Sequence, residues 1–81
     1  MHISVHFYSY FKEWTGCAVV TESIAEGTTL GELQDLMAGR FPKLGSMQRS
    51  MLMAVGVEYQ SRTYRLREGD EVSFFPPVQG G

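Results

Sequence analysis

Cysteine is almost missing from this chain. Cys17 is the one cysteine among 81 residues, which excludes an internal disulfide and any zinc site built on several thiolates, so stability does not depend on an oxidising compartment. The cytoplasm is the resulting expectation. Positive charge is also scarce: seven Lys and Arg against nine Asp and Glu leave a net charge of −2. With a pI near 5.6, the chain lacks the basic surplus that neutralises phosphates, so no nucleic-acid partner is expected. The tightest basic group, Arg62, Arg65 and Arg67, reads as a solvated strand or turn. Long hydrophobic runs are absent as well. The longest, Met51 to Val57, falls far short of the ~20 residues that span a bilayer. The start, Met1-His2-Ile3-Ser4-Val5, shows no basic segment followed by an apolar one, so neither export nor membrane insertion is expected. Length is the last shortage. One thin core is all that 81 residues can build, which excludes a two-domain enzyme and makes function with a partner the first suspicion.

What is present is strongly patterned. Ile3, Val5 and Phe7 alternate with His2, Ser4, His6 and Tyr8, the period-two signature of a half-buried strand over residues 2–8. A connection, 9–16, leads to a β-branched segment over 17–24 that closes at Glu26-Gly27. Thr29 and Glu32 have capping-box spacing and predict a helix start. Leu30, Leu33, Leu36, Met37 and Phe41 form its apolar stripe, with Glu32, Gln34, Asp35 and Arg40 facing water, and Pro42 ends it. After a loop over 43–50 come short extended segments at 51–55 and 58–60, a turn at Gly69-Asp70, and a last strand, Glu71 to Phe75. The order β, β, α, then two or more β predicts an α+β fold in which one mixed sheet packs on one main helix. With the first and last strands parallel at its centre, this is a ubiquitin-like β-grasp. The body is expected over residues 1–75, with an extended, flexible tail over 76–81.

Core packing does not explain that tail, Pro76-Pro77-Val78-Gln79-Gly80-Gly81. Neither proline can donate to a sheet ladder, and two in a row favour an extended path away from the domain. At roughly 3.3 Å per residue the tail reaches ~20 Å, enough to enter a partner's active site. Gly80 and Gly81 lack Cβ atoms, so a channel can grip the backbone and the terminal carboxylate is open to attack. A carboxylate is a poor acyl donor, but adenylation by ATP makes it reactive toward sulfide or an amine. With sulfide the product is a thiocarboxylate, a soft nucleophile that delivers sulfur.

Residues Gly69 through Gly81 resemble the end of the MoaD-type sulfur-carrier subunits of molybdopterin synthase, in the MoaD/ThiS family. The likeness continues through Phe7-Tyr8, Phe11-Lys12-Glu13-Trp14-Thr15-Gly16, Glu26-Gly27-Thr28-Thr29-Leu30-Gly31-Glu32-Leu33 and Met53-Ala54-Val55. Gly56 stands where the family usually has Asn, and both tolerate a left-handed turn. The resemblance implies that the chain is no enzyme on its own and holds no resident cofactor. Gly81, behind Gly80, would be adenylated by a ubiquitin-activating-like enzyme that uses ATP, then converted to a thiocarboxylate. The charged carrier would dock on the large synthase subunit, in a heterotetramer, and give sulfur to precursor Z to form the molybdopterin dithiolene. By position the docking face would include Tyr8, Lys12, Tyr59 and Phe75, with Pro76, Pro77 and Val78 leading into the partner. Composition supports two of these directly: Tyr8 and Phe75 fall on strand faces opposite the apolar sets, where aromatic residues anchor interfaces.

Other candidates are weaker. His2 and His6 share a strand face but sit roughly 13 Å apart, too far for one metal ion. No metal site is expected. Cys17 has no sequence neighbour to activate it and reads as a small strand residue. Glu68, Asp70 and Glu71 read as solvated turn charges, and Met37, Met47, Met51 and Met53 as gap-filling side chains. The same tail chemistry serves thiamine and cysteine sulfur carriers. A ubiquitin-like modifier joined through Gly81 to a lysine and a plain interaction module are the readings from other classes.

Overall fold

The computed structural model describes residues Met1 to Pro77; the notable tail positions Val78, Gly80 and Gly81 lie outside the described residues. Five strands form one sheet in the order β2-β1-β5-β3-β4: β1 (His2–Phe7), β2 (Val19–Ser23), β3 (Leu52–Val55), β4 (Glu58–Tyr59) and β5 (Glu71–Phe75). The helices are α1 (Tyr10–Thr15), α2 (Leu30–Arg40) and α3 (Pro42–Gly45). The first and last strands run parallel in the interior of the sheet, Val5 beside Val72 and Phe7 beside Phe74. The flanking pairs β1–β2, β5–β3 and β3–β4 are antiparallel. This is the β-grasp order, and β5 has the bounds expected from its sequence.

Alternation decides which side of the sheet is covered. Ile3, Val5 and Phe7 of β1 and Val72 and Phe74 of β5 are buried, in one cluster with Leu30, Leu33 and Met37 of α2. Phe7 meets Phe41 and Phe74 edge-on, at centroid distances of 5.7 and 6.1 Å. Both capping-box bonds at the start of α2 are present, the Thr29 hydroxyl accepting from the Glu32 amide and Glu32 reaching back to the Thr29 amide. The next orphan donors are met from elsewhere: Leu30 N–H donates to the Tyr64 carbonyl at 2.8 Å and Gly31 N–H to the Arg62 carbonyl at 2.9 Å. A Cβ on Gly31 would come within 2.9 Å of the Arg62 side chain, so glycine is what lets this segment lie against the helix.

Several boundaries depart from the sequence expectations. The connection at 9–16 contains α1, which buries Phe11 and ends on Gly16 in the left-handed region at φ 77°. Six residues are too few for helical periodicity to stand out. The second strand occupies only the middle of the expected 17–24, because the Thr15 hydroxyl bonds to the Cys17 backbone before the ladder begins. The loop at 43–50 opens with α3, where Pro42 stops α2 and also starts the next helical turn. The expected extended segments at 51–55 and 58–60 are each a residue shorter as strands.

The apolar stripe of α2 also needs correction. Leu36 is 45% exposed, whereas Gln34, expected to face water, is 1% exposed. At about 100° per residue, Gln34 falls roughly 40° from Leu30 around the helix and Leu36 roughly 120°, so Gln34 lies nearer the buried centre. Its amide is satisfied there. Gln34 Nε2 donates to the Gln48 carbonyl at 2.7 Å, and Arg62 Nη1 donates to Gln34 Oε1. Arg62 also grips Asp35 through Nη2, at 3.1 Å to each carboxylate oxygen, and holds the Asp35 carboxyl below its ordinary range.

Candidate functional site: the root of the tail

The parallel pairing of β1 and β5 brings their C-terminal ends to the same edge of the body. Phe7 and Phe74 are partners pointing into the core, so the next residue on each chain, Tyr8 and Phe75, turns to the opposite side. Their rings stack at 4.7 Å with planes 14° apart. Tyr59 reaches the same place from β4, where it pairs with Ala54, and sets its ring against Phe75 at 6.4 Å and 75°. Three of the residues assigned to docking by resemblance thus form one contiguous group. Tyr8 is 41% exposed and Tyr59 70%, an unusual amount of aromatic surface to leave wet.

Pro76 and Pro77 complete the site. With Tyr8, Ser9, Tyr10, Leu52, Tyr59 and Phe75 they line a cleft of about 380 Å³. Both prolines are half-buried, so the tail's first two residues pack against the body. Lys12 is exposed on α1 and does not line the cleft; Val78, Gly80 and Gly81 lie outside the described residues. Ser9, Tyr10 and Leu52 were not expected at the site. Leu52 is there because antiparallel pairing of β3 with β5 sets it opposite Phe75, a contact between distant segments. Val57 was not expected there either: it is wholly exposed, and a smaller hollow of about 190 Å³ between it, Gly56 and Ala54 shares Tyr59 and Phe75 with the main cleft.

Ser9 has unusual geometry. At φ 56° and ψ −139° it is the one non-glycine residue with positive φ among the described residues. It sits at the first corner of a turn in which Phe11 N–H donates to the Tyr8 carbonyl at 3.1 Å, a corner that glycine ordinarily takes. Holding serine there costs about 1–3 kcal/mol.

The remaining candidates have structural settings. Ser4 Oγ lies 3.2 Å from His6 Nε2. Glu68 accepts from the His2 amide at 3.1 and 3.2 Å, and Asp70 accepts from the Arg67 amide at 2.8 Å. No group of three His, Cys, Asp or Glu among the described residues is placed to hold a metal ion. No helix among them is long and apolar enough to cross a membrane. A second concavity, about 950 Å³, is a groove of mixed polar and apolar lining along Gln34, Gln48, Arg49, Met51, Met53 and Arg62. It shares no lining residue with the cleft, and two of its lining residues, Gln34 and Arg62, are bonded to each other.

A parallel central pair of strands, a capped helix across one face and an aromatic cleft where the last strand runs out define a ubiquitin-like β-grasp protein. Comparison with known proteins makes this specific. The ThiS family model matches residues 5–81, and this chain belongs to that family. The molybdopterin synthase sulfur carrier subunit of Escherichia coli is 36% identical, over 98% of this chain and 99% of its own length. That of Arabidopsis thaliana is 26% identical, over 100% of this chain and 84% of its own. Among solved structures, SAMP1 from Haloferax volcanii superposes with a TM-score of 0.86 at 23% identity, covering both chains completely. A protein–protein complex of subunits 1 and 2 of the molybdopterin-converting factor from Helicobacter pylori contains a chain that superposes at 0.72 and 23% identity, again over the whole of both. These two likenesses establish the shared fold.

Proposed function

We propose that this chain is the sulfur-carrier subunit of a molybdopterin synthase, acting in the cytoplasm. The observation that carries the proposal is its 36% identity with the Escherichia coli carrier over nearly the full length of both chains, combined with the Gly80-Gly81 end. The carrier has no catalytic role on its own; it is the donor component of a sulfurtransferase complex. A ubiquitin-activating-like enzyme binds ATP, and the Gly81 carboxylate attacks the α-phosphorus, with pyrophosphate leaving. Sulfide from a donor then displaces AMP and leaves a thiocarboxylate. The sulfur passes to precursor Z on the large subunit, and two carriers on a large-subunit dimer make the heterotetramer.

Tyr8, Lys12, Tyr59 and Phe75 form the docking face in this reading, with Pro76, Pro77 and Val78 guiding the tail. The exposed aromatic cleft supports it, because aromatic side chains at the centre of an apolar patch contribute most to association. The half-buried prolines support it too, since they hold the root of the tail against the aromatic cleft.

Intact-mass measurement after co-expression with the adenylating enzyme and a sulfur source tests the proposal. A gain of about 16 Da on the full-length chain, oxygen replaced by sulfur, is the expected result. Deleting Gly81 should abolish the gain and leave the melting temperature unchanged, because no core residue is removed. An unmodified terminus beside a demonstrably active adenylating enzyme overturns the carrier reading. Isopeptide links to lysines of other proteins would replace it with the modifier reading.

A further inference from the structure

Ser9 combines four observations that packing does not join. It has positive φ although it is not glycine. It is exposed, it lines the cleft between Tyr8 and Tyr10, and its side chain does not cap the helix that follows. Serine usually justifies such a position by bonding its hydroxyl to a nearby backbone amide. Here that compensation is missing at the start of α1, so a strained backbone places an exposed serine at the lip of a mainly aromatic cleft. Glycine would satisfy the turn without strain, and the fold gains nothing visible from serine instead.

We infer that Ser9 is a specificity-determining contact of the docking face: its hydroxyl bonds to a polar main-chain group of the protein that receives the tail. The inference rests on the carrier reading, in which the large synthase subunit covers the cleft. Pro76 and Pro77 line the same cleft as Ser9, so a protein that takes the tail and packs on its root meets the Ser9 hydroxyl. A hydrogen-bonding group within an aromatic ring discriminates among partners, because a partner without the matching group must bury the hydroxyl unpaired. The aromatic and proline neighbours supply adhesion, and Ser9 supplies selection.

Calorimetric titration of the full-length chain against its cognate large subunit, with melting curves of the same samples, tests this. Ser9→Ala keeps the strained corner and removes the hydroxyl; Ser9→Gly removes both. Each should weaken binding by about five- to tenfold. Ser9→Gly should also raise the melting temperature by about 4–8 °C, and Ser9→Ala should not. Binding equal to that of the unaltered chain in both variants overturns the inference while leaving the carrier reading intact. Weakening in Ser9→Gly alone assigns the effect to chain stiffness and also overturns it. If the unaltered chain fails to bind, docking on the large subunit falls as well, an outcome distinct from the other two.

Discussion

Phe74 and Phe75 are the same amino acid at adjacent positions of one strand, yet they belong to different parts of the molecule. Phe74 is completely buried and touches Phe7; Phe75 is half-buried and stacks on Tyr8. The next strand repeats the split, with Phe7 at 1% exposure and Tyr8 at 41%. A strand's period of two assigns one aromatic of each pair to the core and the other to the open face. Covered-face residues therefore govern whether the chain folds, and open-face residues govern what the folded chain can hold.

The largest expected effect comes from testing that split directly. Phe74→Ala should cost about 3–5 kcal/mol through lost burial and the cavity left behind. Against a total of about 5–15 kcal/mol for a typical domain, this small protein would be severely weakened. Phe75→Ala should cost about 0.5–1.5 kcal/mol, the worth of its ring contacts, while partner affinity falls at least tenfold. Denaturant unfolding and titration against the large subunit measure the two quantities separately. Equal destabilisation by the two substitutions would erase the distinction between faces.

A smaller effect tests the same division on α2. Gln34→Ala should cost about 1–3 kcal/mol, since the two hydrogen bonds of this buried amide, to the Gln48 carbonyl and from the Arg62 guanidinium, are lost at roughly 0.5–1.5 kcal/mol each. Leu36→Ala, on an exposed position, should change the unfolding free energy read from urea titration by less than about 0.5 kcal/mol. The reverse ranking would restore the apolar stripe that hydrophobicity alone suggests.

Gln34 also marks where sequence reasoning stops. Alternation, the Thr29–Glu32 box and the Pro76-Pro77 break made the strands, the main helix and the tail root legible, because each is set by residues a few positions apart. Tyr8 and Phe75 were legible as outward-facing for the same reason. The rest depends on chain segments meeting from a distance. Nothing near Gln34 in sequence announces Arg62, and Leu52 lines the cleft only because β3 pairs with β5. The strain at Ser9 is invisible in composition, since serine is an ordinary residue before a short helix. Lys12 took its docking role from resemblance alone, and the geometry leaves it outside the cleft.

The smallest expected effect is a pH dependence that sharpens the comparison, because it belongs to the helix side and not to the docking face. The Arg62 hydrogen bond holds the Asp35 carboxyl below its ordinary value of 3.8. The unfolded chain therefore binds more protons than the folded one just below that pH, so stability rises with pH there. The contribution is complete above pH 3.8 and is lost as pH falls through the folded value. Both side chains are about half exposed, at 50% and 53%, so solvent screens the pair and the effect is slight. Melting curves of the unaltered chain and Asp35→Asn should differ above that pH and converge below it. Salt near 1 M, where the screening length is about 3 Å, should shrink the difference further. Affinity for the large subunit should be the same for both chains at neutral pH, since neither Asp35 nor Arg62 lines the cleft. A change in affinity without a change in melting would place this pair on the docking side and break the assignment of function to one face of the sheet.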